Sequence, residues 1–272
     1  MRSVSKVLGV IIKIGLIVSF AFPFLYMFGT AFKTYEDSII YPPKILPGTW
    51  EFGNFSQVFL SGPFDVYTLN SFLVVIVTMS IQFCILIPAA YVFARYRFKG
   101  KNALFGIVLL AFMVPNQITF VPIYLLMAKL RLLNSLWPQI LPFSANAFGI
   151  FLLRQSFMQI DEELIEAAKM DNAGEVQIVT SVMLPMAKPT LITIGLFSFI
   201  NNWNSYFWPL VMTDSKMLRP LTVGLAMLKI SEGTLNWPVV MAGNVFLLLP
   251  ILVAYLFAKN KMMASLGYSG IK

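Results

Sequence analysis

Histidine is missing altogether from this sequence of 272 residues. Its absence removes Ser–His and Cys–His nucleophile pairs and His-ligated zinc or haem centres. A single cysteine, Cys84, excludes a disulfide framework and a thiolate metal cluster. In the apolar run SIQFCILIP it reads as a buried, inert thiol. Charge is scarce too: 12% of residues are charged and 58% hydrophobic, with a mean hydropathy of +0.78. A soluble domain carries about 25% charged residues, so an ordinary water-soluble enzyme is excluded. Bilayer thickness becomes the ruler instead.

A membrane helix needs roughly 20 residues free of fixed charge. Six stretches between charges are long enough, and they place spans near 10–32, 67–94, 103–128, 132–153, 189–212 and 236–258. The fourth is the weakest, because Pro138 and Pro142 divide it and Asn134 and Asn146 flank its apolar centre. Arg2, Lys6 and Lys13 precede the first run as they would in a signal peptide. The length of that run, Pro23 within it and the want of a small-residue cleavage site favour a retained helix. The expectation is an all-α polytopic membrane protein, one transmembrane domain over 1–272, with six transmembrane helices.

With six spans both termini share a side, and positive charge chooses it. Arg2, Lys6, Lys13, Arg95, Arg97, Lys99, Lys101, Arg154, Lys169, Lys188, Lys259, Lys261 and Lys272 fall on the side of the termini, 13 of the 20 Lys and Arg. Both termini are therefore expected in the cytoplasm. The segment RYRFKGK (Arg95 to Lys101) reads as an anchor at an anionic leaflet, so the net charge of +8 needs no nucleic acid. On the outer side, Thr34–Asp65 is turn-rich, and Asp214–Trp237 holds RPLTVGLAMLKI, too short to span and expected as an interfacial helix. These segments serve either as connectors or as landing places for an extracytoplasmic partner.

The inner loop, 154–188, is longer than a chain reversal requires. Asp161 is placed to cap a helix, with Glu162 and Glu163 in its first turn. Leu164, Ile165 and Ala168 recur at helical spacing, and Glu166 and Lys169 form an i, i+3 pair. Asn172 and Gly174 suit a left-handed turn, and a second apolar stretch runs to Leu184 before Pro185 and Pro189. The pattern predicts helix, sharp turn, helix. Periodicity alone leaves open whether it supports the bundle or docks a partner.

Glu166-Ala167-Ala168, a turn residue four positions after Ala168, and Val182-x-Leu184-Pro185 resemble the EAA signature of membrane subunits of ATP-binding-cassette (ABC) importers. The resemblance implies that the loop is a coupling helix docking into an ATPase through Glu166, Ala167, Ala168, Asp171, Asn172, Gly174, Leu184 and Pro185. Asn172 stands where the signature has glycine, a substitution compatible with positive φ, and Gly174 is close enough to share the turn. Asn70-Ser71, Ala90-Tyr91, Ala94-Arg95, Phe98-x-Gly100, Val114 to Ser135, Phe151 to Arg154, Trp203-Asn204, Pro209-Leu210 and the tail ending SLGYSGIK are similar to the maltose-type carbohydrate importers, and to the smaller permease of their pair. That likeness implies as partners a second related permease, two ATPase subunits, an extracytoplasmic solute-binding lipoprotein or periplasmic protein, and the bilayer of a bacterial or archaeal cytoplasmic membrane.

No Asp, Glu, Lys or Arg interrupts the charge-free stretches, so an ion-coupled carrier lacks its usual relay and a membrane enzyme lacks its acids. No Walker-type phosphate loop is present either. The chain is expected to bind no cofactor and catalyse nothing, with ATP and magnesium on the partner ATPase. Uncharged walls suit a neutral polar solute. Asn201, Asn202, Trp203, Asn204 and Tyr206 join amides to aromatic faces, as sugar binding requires, and equally suit an interfacial aromatic belt. Asn116, Gln117 and Asn146 are further pathway candidates, or partners in interhelical hydrogen bonds. A glycerol-phosphate-type solute remains the alternative cargo.

Overall fold

A computed structural model describes residues 2–231 and 236–267; the last five residues of the tail motif, 268–272, lie outside them. Among the described residues all regular structure is helical. The first half holds α1 (Arg2–Ala31), α2 (Tyr35–Ile39), α3 (Gly53–Leu60), α4 (Phe64–Arg95), α5 (Lys101–Met113), α6 (Asn116–Lys129) and α7 (Trp137–Ile140). There follow α8 (Ala147–Met158), α9 (Glu162–Met170), α10 (Glu175–Ile178), α11 (Leu184–Met186), α12 (Lys188–Trp203), α13 (Phe207–Met212), α14 (Leu221–Ser231) and α15 (Trp237–Gly267).

Three stretches are long and apolar enough to cross a bilayer: Leu8–Ala31, Phe64–Arg95 and Trp237–Met262. Two bent pairs pass the same test, α5 with α6 at 97° and Glu175–Met186 with α12 at 81°, which raises the number to at most 5. Six uninterrupted spans are therefore not what the chain forms. The expected third span breaks at Pro115, which has no N–H to continue the ladder and sits in extended conformation before α6. The expected fourth is divided as its prolines foretold: α7 passes into a 3₁₀ turn at Leu141–Phe143, and α8 starts afresh behind Asn146. The expected fifth ends at Trp203, with α13 a separate short helix.

The chain divides into two compact units, Met1–Tyr67 with Leu221–Pro250, and Thr68–Pro220 with Ile251–Lys272. In the first, the turn-rich segment folds back on the end of α1. The Asn54 amide donates to the carbonyls of Ala31 (3.0 Å), Lys33 (2.8 Å) and Glu51 (3.3 Å), while Phe32 packs against Trp50, Phe52 and Phe55. Gly29 is required there, because a Cβ would lie 2.0 Å from the carbonyl oxygen of Ile45. α14 is a helix as expected, and its Leu221, Val223, Leu225 and Leu228 are buried against protein. An apolar face 11 residues long reads alike for lipid and for protein, and here protein covers it.

In the second unit one core gathers Leu86, Ala90 and Tyr91 of α4, Ile150, Leu153 and Phe157 of α8, Ile194 of α12, and Ile165, Ile178, Met183 and Ala187 of the inner loop. Cys84 is exposed rather than buried. On a spanning helix, apolar surroundings mark the side turned to lipid as readily as the interior, so hydropathy did not sort this residue.

Candidate functional site

The inner loop forms the expected helix, turn and helix, and its turn rests on one residue. Asn172 has φ 58°, the Ala173 N–H reaches the Ala168 carbonyl and the Asn172 N–H reaches that of Lys169, each at 3.0 Å. This is the Schellman arrangement, which satisfies carbonyls that a helix end leaves open. Gly174 does not share the left-handed geometry; at φ −74° and ψ 163° it precedes α10. Asp161 stands at the N-cap position with extended backbone, but its side chain makes no capping hydrogen bond. Among the described residues the ion pairs are Lys44–Asp37 and Arg95–Glu162, and the expected Glu166–Lys169 pair is not formed.

Beyond the turn, α10 runs through a π-helical stretch, Val179–Met183, into α11. The sharp bend into α12 comes at Ala187, between Pro185 and Pro189, neither of which can donate to a continuous ladder. The loop has two unlike faces. Ile165, Ile178, Met183 and Ala187 are buried in the core, with Ala168, Ala173 and Leu184 packed at its edge. Glu166, Ala167, Asp171, Asn172, Gly174 and Pro185 are exposed, and two large apolar side chains beside the turn are exposed with them, Met170 at 84% and Val176 at 78%.

Three polar ties fasten this loop. The Tyr91 hydroxyl donates to the Glu175 carboxylate at the start of α10. Desolvation first, and then the same carboxylate, push the Tyr96 phenol above its usual pKa. Arg95, the last residue of α4, donates from one guanidinium nitrogen to the carbonyls of Phe157 (2.7 Å) and Ile160, and from another to Glu162 (3.3 Å). Arg154 of α8 returns the gesture, donating to the Phe93 carbonyl at 3.0 Å and lying over the Phe105 ring at 4.1 Å. Sequence reading placed Arg95 in a lipid-anchoring cluster. The signal it missed is spacing: Tyr91 and Arg95 stand one turn apart on one face of α4.

The remaining candidates disperse. Trp203 is buried, stacked on Phe199 at 5.6 Å and tilted against Phe72 at 4.8 Å. Asn202 turns back to the Ser198 carbonyl at 2.8 Å, whereas Asn201, Asn204 and Tyr206 are exposed. Asn146 caps α8 by accepting the Gly149 N–H at 2.8 Å. Asn116 and Gln117 are exposed where α6 begins. A buried polar network went unforeseen: Ser198 donates to the Gln82 side-chain oxygen, Gln82 donates to the Phe143 carbonyl at 2.5 Å, and Asn202 reaches the Ser198 hydroxyl at 3.3 Å. Among the described residues no group of three or more His, Cys, Asp or Glu is placed to hold a metal ion.

Comparison with known proteins gives the class of this helical, apolar chain. The family of binding-protein-dependent transport system inner membrane components matches residues 86–260, and the chain belongs to it. It is similar to a putative ABC transporter permease, ORF2, of Caldicellulosiruptor sp. (32% identical, covering 92% of this chain and 91% of that one). It is also similar to the arabinooligosaccharides transport system permease protein AraQ of Halalkalibacterium halodurans (33%, covering 83% and 81%). The sn-glycerol-3-phosphate transport system permease protein UgpE of Yersinia pestis is 30% identical over 83% of each chain. Among solved structures, a bacterial ABC transporter involved in import of the acidic polysaccharide alginate superposes with a TM-score of 0.83 at 25% identity, covering 95% of this chain and 96% of that one. The chain is thus a permease subunit of an ABC transporter, not an enzyme, and its class implies a paired permease, ATPase subunits and a solute-binding protein.

Proposed function

We propose that this chain is the smaller permease of a carbohydrate importer, forming with a second, related permease the pathway for a neutral sugar or oligosaccharide. The solute arrives on an extracytoplasmic binding protein, and two ATPase subunits drive transport from the cytoplasm. In this reading the chain crosses the membrane six times, the fourth crossing built from the broken α7–α8 segment, with both termini in the cytoplasm. Broken helices are tolerated at membrane depth where protein covers them, and Pro138, Gln139 and Ile140 are buried.

One observation carries the docking assignment. The 162–186 loop buries its inner face in the core that it shares with α4, α8 and α12, while Glu166, Ala167, Met170, Asp171, Asn172 and Val176 remain exposed around a fixed turn. Exposed methionine and valine beside acids suit a protein groove better than water. Glu166→Lys, or Ala168→Glu at the edge of the packed face, is expected to reduce co-purification of the ATPase by about tenfold while the permease still inserts. Unchanged co-purification and uptake in both variants would sink the assignment.

For the solute, relatives named for arabinooligosaccharides and for alginate support a carbohydrate. The exposed amides and rings of Asn201, Asn204, Tyr206, Asn116 and Gln117 suit hydroxyl-rich cargo, with Asn202, Trp203 and Asn146 supporting the wall. The relative named for sn-glycerol-3-phosphate supports the second reading, in which the partner permease supplies the cation an anionic cargo needs. Proteoliposome uptake separates them: the first expects ATP-dependent import of an oligosaccharide and none of glycerol phosphate. Uptake of either without ATP would defeat both and favour an ion-coupled carrier.

A further inference from the structure

We propose that Arg95 and Tyr91 are positioning residues that lock the docking loop to the end of α4, so that a push on the loop moves the spanning helices instead of bending the loop. The inference rests on the docking assignment and goes beyond it, since neither residue belongs to the exposed surface offered to a partner.

Little else holds α9. Of its nine residues only Ile165 is buried, and its acidic face is open to solvent. A helix held along so short an apolar edge, Ile165 with Ala168 beside it, pivots about that edge. Arg95 supplies the second point of attachment at the joint between α8 and α9. The Phe157 carbonyl belongs to the last turn of α8, and that of Ile160 lies just before α9, where no ladder partner is available. A cation at a helix C-terminus is favoured by the dipole, and the same guanidinium meets Glu162 in the first turn of α9. Because the Glu162 carboxylate is largely exposed, that ion pair contributes little; the carbonyl bonds are the stronger part. One planar fork makes all three contacts, which the point charge of lysine does not reproduce.

Tyr91 supplies the third point. One turn before Arg95, it binds Glu175 at the head of α10, on the far side of the Asn172 turn. Both arms of the loop are thereby tied to the same terminal turn of α4, and Arg154 ties α8 to that helix as well. Three attachments on two arms leave a lever with no free rotation. A contact that orients force predicts a specific defect: assembly and hydrolysis persist while their connection to transport weakens.

The experiment uses the full transporter, with its partner permease, ATPases and binding protein, in proteoliposomes. Wild type, Tyr91→Phe, Arg95→Lys, Glu166→Lys and Ala168→Glu are compared for ATPase co-purification, ATP hydrolysis and solute imported per ATP. Tyr91→Phe and Arg95→Lys are expected to retain the ATPase and hydrolyse ATP, yet import about three- to tenfold less solute per ATP. Wild-type solute per ATP in both overturns the proposal. Should Arg95→Lys fail to assemble, Tyr91→Phe decides alone, and normal coupling in it also overturns the proposal. Glu166→Lys, taken together with Ala168→Glu, separates the two levels: if both retain the ATPase and wild-type uptake, the docking assignment has failed; if they shed the ATPase while Tyr91→Phe and Arg95→Lys couple normally, only the lock has failed.

Discussion

Asn172 shows how much rests on one backbone angle. A left-handed residue ends α9 and aims the chain back into the core, and asparagine accepts that geometry at lower cost than any branched side chain. Asn172→Gly is therefore expected to leave thermal stability and ATPase binding unchanged. Asn172→Val, with a β-branched side chain at φ 58°, is expected to cost about 1–2 kcal/mol. Thermal unfolding and limited proteolysis across the turn check both; a valine variant as stable as wild type would show that the turn has another support. The sequence contained this residue's role in legible form, because it follows from local chemistry. It did not contain Arg95's, because the carbonyls Arg95 binds lie more than 60 positions away.

Helices are shaped here by what proline withholds and by what polar side chains find inside. The bend after Pro115 and the division of 132–153 into α7, a 3₁₀ turn and α8 follow from missing N–H groups. The division was visible as Pro138 and Pro142, whereas 103–128 read as one span because other prolines, such as Pro88 and Pro122, sit inside continuous helices. The network joining α4 to α12 was not visible. Gln82 and Ser198 are 116 positions apart, and either one alone reads as an ordinary polar residue in an apolar run. Ser198→Ala is expected to lower stability by about 1 kcal/mol, a typical value for an interhelical hydrogen bond in a membrane. Gln82→Leu is expected to cost more, because the Phe143 carbonyl and the Ser198 hydroxyl both lose a partner. Unfolding in mixed micelles measures both, and equal effects would contradict the network.

At the scale of the whole molecule, the distribution of charge sets the expected topology. Six of the twelve acids lie between Asp161 and Glu175, in the loop proposed to dock the ATPase, and the densest basic segment lies at Arg95–Lys101. Both belong on the cytoplasmic face if the positive-inside rule orients the chain. In a Cys84→Ser background, Lys99→Cys and Lys169→Cys are expected to react with an impermeant maleimide only from the cytoplasmic side, and Glu36→Cys only from outside. The reverse pattern would overturn the topology and, with it, the docking role of the loop.

By itself the sequence determined that the chain is helical and membrane-embedded, that prolines divide the 132–153 stretch, and that one inner loop is a helix, turn and helix. These are properties of composition and of near neighbours: hydropathy, missing N–H groups and a residue at ease with positive φ. Only the tertiary structure decided which apolar side chains face protein and which face outward, as at Cys84 and along α14. It alone joined Tyr91 to Glu175 and Arg95 to the end of α8. The physical reason is the solvent. Lipid is as apolar as a protein core, so hydropathy loses the contrast that sorts inside from outside in water, and only packing supplies it.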